Sequence, residues 1–75
     1  MSDRTADVIS VVASVLNVPA ADVPPDASME TLPDWDSLAQ LNICMLVGER
    51  FGVEMDMDAI AEATSVPALV ELLAR

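Results

Sequence analysis

The sequence predicts an all-α fold: a small four-helix bundle with a long loop between helices 1 and 2 and a short third helix. Three observations lead there. Apolar residues recur at the three-and-four spacing of helix stripes, and four of the five prolines gather in one stretch between the first two helices. A chain of 75 residues that is 53% hydrophobic can bury one core and has no room for a second. One domain spanning residues 1–75 is therefore expected.

The first helix is expected over residues 3 to 17 (DRTADVISVVASVLN), where Val8, Val12 and Val15 form a stripe with Ile9 and Leu16 beside it. Its β-branched content would suit a strand, but its length and the Ser10 and Ser14 interruptions favour a helix. From Val18 to Asp36 the chain carries Pro19, Pro24, Pro25 and Pro33 among scattered acids, which excludes a regular element longer than about one turn. Connections of this length are functional or tied down by their own apolar side chains. Val18, Val23, Met29, Leu32 and Trp35 are the candidate anchors.

The second helix runs from Ser37 to about Phe51 (SLAQLNICMLVGERF) and is apolar nearly all round. At about 100° per residue, Leu38 and Met45 fall together, as do Leu41 and Cys44, and Ile43 and Val47, while Asn42 and Glu49 mark a narrow polar edge. Such a helix is either enclosed or shows part of its apolar face to a partner. Gly52 is placed to end it as a left-handed cap. Residues 56 to 63 (DMDAIAEA) read as a short helix capped by Asp56 with Ile60 inward. Ser65 caps the last helix, with Pro67 in the first turn, where its missing N–H is harmless, and Val66, Leu69, Val70 and Leu73 as the stripe.

Charge narrows the function. Thirteen acidic residues face three arginines, with no lysine or histidine and a net charge of −10. Nucleic-acid binding is disfavoured, because almost nothing is present to neutralise phosphates. Partners with basic patches are favoured, and so is a monomer. Without histidine no Ser-His-Asp arrangement can be built, and no other side chain is a ready general base near neutrality. The single Cys44 rules out an internal disulfide and a cysteine-based zinc cluster, so no protein metal centre is expected. No secretory leader is evident and no apolar run approaches the roughly 18 residues needed to cross a bilayer. A cytoplasmic protein without membrane insertion is expected.

Several features meet at residues 34–41 (DWDSLAQL). Ser37 and Gln40 fit a capping box, in which each side chain satisfies a free N–H at the helix start; alternatively Asp36 is the cap and Ser37 the first helical residue. Either way the hydroxyl stands at a helix N-terminus, where free N–H groups and a partial positive charge suit a phosphate group. Asp34 and Asp36 would repel that phosphate unless a metal or basic partner lay between, so their presence makes most sense during a modification reaction.

The stretch DWDSLAQLNICMLVGERFGVEM resembles the acyl carrier protein family, whose D-S-L motif bears the serine loaded with 4′-phosphopantetheine from coenzyme A. The resemblance extends over the first helix, the long loop, F-G-V-E-M and T-S-V-P-A-L. It implies Ser37 as the attachment site and Asp36 as the motif aspartate, which in the family also assists the magnesium-dependent transferase. It implies no catalysis by the chain itself: the thiol of the arm would hold an acyl group as a thioester for other enzymes. Implied partners are a phosphopantetheinyl transferase, an acyl-loading ligase or acyltransferase, and downstream biosynthetic enzymes with basic patches. Leu38 and Met45 would be apolar contacts to them, with Glu49, Asp34, Asp56 and Asp58 as charged ones.

The departures from the family are informative. Many carriers of fatty acid synthesis line the second helix with carboxylates, whereas this one has Ala39, Asn42, Gly48 and Arg50 and keeps only Glu49. The charge lies instead in the loop (Asp22, Asp26, Glu30, Asp34, Asp36) and around the third helix (Glu54, Asp56, Asp58, Glu62), which suggests a dedicated carrier of polyketide, modified acyl or aminoacyl groups. The glycine pair that precedes the serine in peptidyl carriers is replaced by residues 33–36. Met29, Met45, Met55 and Met57 would shelter an acyl chain or simply fill core gaps, and Cys44 is expected to be a small buried apolar residue. A rival reading is an acidic helical adaptor or nucleic-acid mimic with Ser37 only a cap. An enzyme using Asp34 and Asp36 is disfavoured, since so small a domain offers little pocket.

Overall fold

The computed structural model describes residues 4–74 and contains four helices: α1 (Thr5–Leu16), α2 (Ser37–Phe51), α3 (Met57–Glu62) and α4 (Val66–Ala74). Among the described residues there is no strand beyond one isolated antiparallel bridge, Ser28 with Ser65. The all-α expectation and the order of elements hold. Asp3, placed in the first helix on sequence grounds, lies outside the described residues.

α1 buries Val8, Val11, Val12 and Ala13, with Ile9, Val15 and Leu16 packed at the edge of the core. Each fully buried valine contributes roughly 1.5–3 kcal/mol relative to exposure. The helix stops because Asn17 takes a left-handed conformation at φ 58°, and Val18 N–H closes back onto Ala13 C=O at 3.0 Å. The same device ends α2, where Gly52 sits at φ 66° and Val53 N–H reaches Gly48 C=O at 3.0 Å. Arg4 lies over the Phe51 ring at 5.2 Å and so ties the start of α1 to the end of α2.

The loop holds one regular turn, a 3-10 turn at Ala20–Asp22, as its prolines require. Val23, Ala27 and Trp35 are buried, while Val18, Met29 and Leu32 pack against the core. Ser28 and Thr31 knit a local knot: Ser28 N–H donates to Thr31 Oγ1 at 2.9 Å, and the N–H groups of Thr31 and Leu32 both donate to Ser28 C=O. Backbone bonds from Met29 N–H to Thr64 C=O (3.0 Å) and from Val66 N–H to Ala27 C=O (2.8 Å) then fasten the loop to the α3–α4 junction. α4 begins where Ser65 Oγ accepts from Ala68 N–H at 3.1 Å, and buries Val66 and Leu69 against α1.

α2 is enclosed on one side only. Ala39, Gln40, Ile43, Cys44 and Val47 are buried, whereas Leu38, Leu41 and Met45 are 67%, 43% and 62% exposed. Leu41 and Cys44, which the wheel places together, fall on opposite sides of the burial boundary. Met45 and Met57, the latter 84% exposed, do not fill core gaps; of the methionines among the described residues, Met29 and Met55 pack against the core.

Candidate functional site

Asp36, not Ser37, caps α2. Its Oδ1 accepts from Ala39 N–H at 2.9 Å, and its carbonyl accepts from Gln40 N–H at 2.8 Å, which makes Ser37 the first helical residue. The capping box does not form, because the Gln40 side chain turns inward. Among the described residues the Ser37 hydroxyl makes no hydrogen bond and is exposed, and the amides of Ser37 and Leu38 keep no partner in the chain. A free hydroxyl beside two free N–H groups at the positive end of a fifteen-residue helix can accept and hold a phosphate ester.

Gln40 carries the polar chemistry that the sequence did not reveal. Its Oε1 accepts from Trp35 Nε1 at 2.7 Å, and its Nε2 donates to the carbonyls of Ile60 (2.7 Å) and Ala63 (2.8 Å), with Cys44 Sγ at 3.3 Å. Cys44 is fully buried, and burial pushes its thiol up to about 11, which keeps it protonated and unreactive at neutral pH.

The other residues singled out on sequence are all exposed, but they divide into two groups. Leu38, Met45 and Glu49 share one stripe of α2 at i, i+7 and i+11, and Leu41 joins it. Asp34 lies in the loop before the site, and Asp56 and Asp58 stand at the head of α3, where Asp56 Oδ1 accepts from Ala59 N–H at 2.8 Å. A groove of about 300 Å³ opens between α2 and α3, lined by Cys44, Met45, Gly48, Val53, Met55 and Ile60 with Glu49 and Glu54. A smaller one of about 160 Å³ lies between α3 and α4. Ser37 lines neither, so a reaction at its hydroxyl takes place on a surface open to a second protein.

Residues 6–73 match the family model described as a phosphopantetheine attachment site. The chain belongs to the acyl carrier protein family. It is also similar to an acyl carrier protein of Thermobifida fusca (strain YX), with 31% identity over 71 residues that cover 95% of this chain and 86% of that protein. This carrier accordingly bears 4′-phosphopantetheine covalently attached. The residues present fit that group, since the head of α2 offers both the nucleophilic oxygen and the free amides that a phosphoester needs. When bound, the arm supplies a terminal thiol. The family is one of carriers rather than catalysts, and among the described residues no helix is long and apolar enough to cross a membrane.

Proposed function

We propose that Ser37 is the residue that carries the arm, and that the chain is a monomeric carrier acting in the cytoplasm. The observation that carries the assignment is the exposed, unbonded Ser37 hydroxyl at the first position of α2, directly after the capping Asp36. In the reaction the Ser37 oxygen attacks the pantetheine-side phosphorus of coenzyme A and becomes the ester oxygen as the pyrophosphate P–O bond breaks and adenosine 3′,5′-bisphosphate leaves, while the serine proton goes to a base on the transferase, because this chain has no histidine to take it. One oxygen of Asp36 is occupied by Ala39 N–H; the other is free to face the magnesium ion of the transferase. Asp34, also exposed, adds to that field.

The cargo is a polyketide, modified acyl or aminoacyl group of a specialised pathway. What supports this is the charge of α2, where Glu49 and Arg50 cancel in a molecule of net charge −10. Enzymes of general fatty acid synthesis that seek a carboxylate-lined helix find here Leu38, Leu41 and Met45. The loading ligase or acyltransferase and the downstream enzymes meet that apolar stripe, with their basic patches directed to Asp34, Asp56 and Asp58. Incubation with coenzyme A, magnesium and a phosphopantetheinyl transferase tests the first claim. A mass increase of one phosphopantetheine that disappears in Ser37→Ala is expected, and an unmodified wild type refutes it. The acyl group recovered on protein from its native host tests the second, and an ordinary fatty acyl series there refutes it.

A further inference from the structure

The Gln40 side chain sits at the junction of two parts of the molecule and bonds to both through one amide group. On one side is the attachment segment. Trp35 is buried, its N–H donates to Leu32 C=O at 3.0 Å, and its indole N–H donates to Gln40 Oε1 at 2.7 Å. That bond closes a five-residue span over Asp36 and Ser37, whose backbone is further fixed by the two bonds that Asp36 accepts. Ser37 itself has no side-chain partner, so the direction of its hydroxyl depends on this frame.

On the other side is α3, a helix of six residues that is too short to persist on its own. Asp56 caps its start. At its end Thr64 N–H turns to Glu62 C=O at 2.9 Å, so Ile60 C=O loses its usual helical donor. Gln40 Nε2 replaces that donor and also satisfies Ala63 C=O, which makes a side chain of α2 the C-terminal cap of α3. The amide orientation is forced: the indole needs an acceptor and the carbonyls need a donor. With Gln40 in place, no buried side-chain nitrogen or oxygen among the described residues lacks a partner.

We propose that Gln40 is a positioning residue for the modification of Ser37, and that it makes the attachment segment and α3 a single cooperative unit. The proposal rests on Ser37 as the attachment residue. When α3 loosens, Gln40 loses its two carbonyls, its Oε1 is no longer held toward Trp35, and the frame around Ser37 relaxes with it.

The test uses the full 75-residue chain and two variants, Gln40→Met, which keeps the length and removes all of these bonds, and Trp35→Phe, which removes the indole donor while Gln40 still caps α3. Phosphopantetheine transfer is followed at saturating and limiting carrier, and hydrogen exchange is read at the α3 amides. In Gln40→Met, exchange in α3 rises about tenfold or more, because α3 loses its C-terminal cap, and kcat falls about tenfold with KM within roughly twofold, because the surface offered to the transferase is unchanged while the hydroxyl is misplaced. In Trp35→Phe, kcat falls similarly while α3 keeps its protection. Wild-type kcat in Trp35→Phe, or unchanged α3 exchange in Gln40→Met, overturns the proposal. Should Gln40→Met fail to fold, Trp35→Phe decides alone: a reduced kcat with unaltered KM supports the role and an unaltered kcat removes it. A wild-type chain that takes no arm overturns the assignment of Ser37 instead.

Discussion

Asp36 caps α2 and is proposed to face the metal of the transferase, and paired substitutions distinguish the two tasks. As the cap of α2 it accepts from Ala39 N–H at 2.9 Å in an extended conformation, φ −97° and ψ −172°. Replacing such a cap by alanine costs about 1 kcal/mol. Its charge adds roughly 0.3–1 kcal/mol through the positive end of the helix. Asp36→Ala should thus lose about 1–2 kcal/mol, whereas Asp36→Asn keeps the cap, since Asn and Asp cap equally well, and loses only the charge part. Trp35, the sole tryptophan and a buried one, reports the unfolding in urea. With a slope near 1 kcal/mol/M for so small a chain, the alanine midpoint moves down by about 1 M or more and the asparagine midpoint by less than about 1 M. Loading should behave differently: under the role proposed for Asp36, both variants lose it by a similar factor, because both lack the carboxylate proposed to face the metal of the transferase. Asparagine loading at the wild-type rate would refute the second task, and an unchanged alanine midpoint would refute the first.

Gly48→Ala sets helix propensity against packing: alanine gains up to about 1 kcal/mol in a helix, but its Cβ would lie 2.8 Å from the Val53 carbonyl oxygen and 3.2 Å from Met55 Cγ. The backbone oxygen cannot swing aside, so a net loss of roughly 1–3 kcal/mol is expected in urea unfolding, and a stabilised variant contradicts it. The Cys44 thiol should resist alkylation in the native protein and react on unfolding; rapid native labelling at pH 8 would contradict the burial. Its folded value lies above the unfolded one, so the neutral thiol favours folding below about pH 9, and that contribution is lost as pH rises toward about 11. A Cys44→Ala chain, which lacks the group, should show less decline over that window; an identical decline would refute the linkage. The KM for the loading enzyme should rise modestly with salt, as the acids that face its basic patches are screened, and Leu41→Ser together with Met45→Ser should raise it several-fold. A steep salt dependence with no effect of the pair would place recognition on the acids instead.

The helices were legible wherever a side chain announces them. Asp56, Ser65 and Gly52 act where the sequence puts them, because capping and left-handed turns depend on a few chemical groups acting locally. Trp35 was legible as an apolar anchor, but its N–H partner was not. Gln40 three residues after Ser37 reads as a capping-box partner, and its true acceptors are backbone carbonyls 20 and 23 residues away, which carry no residue-specific signature. The exposed stripe of α2 was half legible: Leu38 and Met45 emerged from the wheel, but Leu41 did not, since a helix apolar on all sides gives no clue to which side the bundle covers. Asn17 as the stop of α1 was missed for a related reason, as asparagine in a left-handed turn competes with many ordinary surface uses.

The pair of backbone bonds that joins Met29 and Ala27 to Thr64 and Val66 has a consequence for biosynthesis. During translation, the proline-rich connection cannot make these two bonds until residues 64–66 have left the ribosome, because their partners lie far downstream of residues 27–29. Closure of the bundle then waits for the last helix, and a nascent chain stalled near residue 62 would leave open to chaperones the side of α1 that α4 covers with Val66 and Leu69.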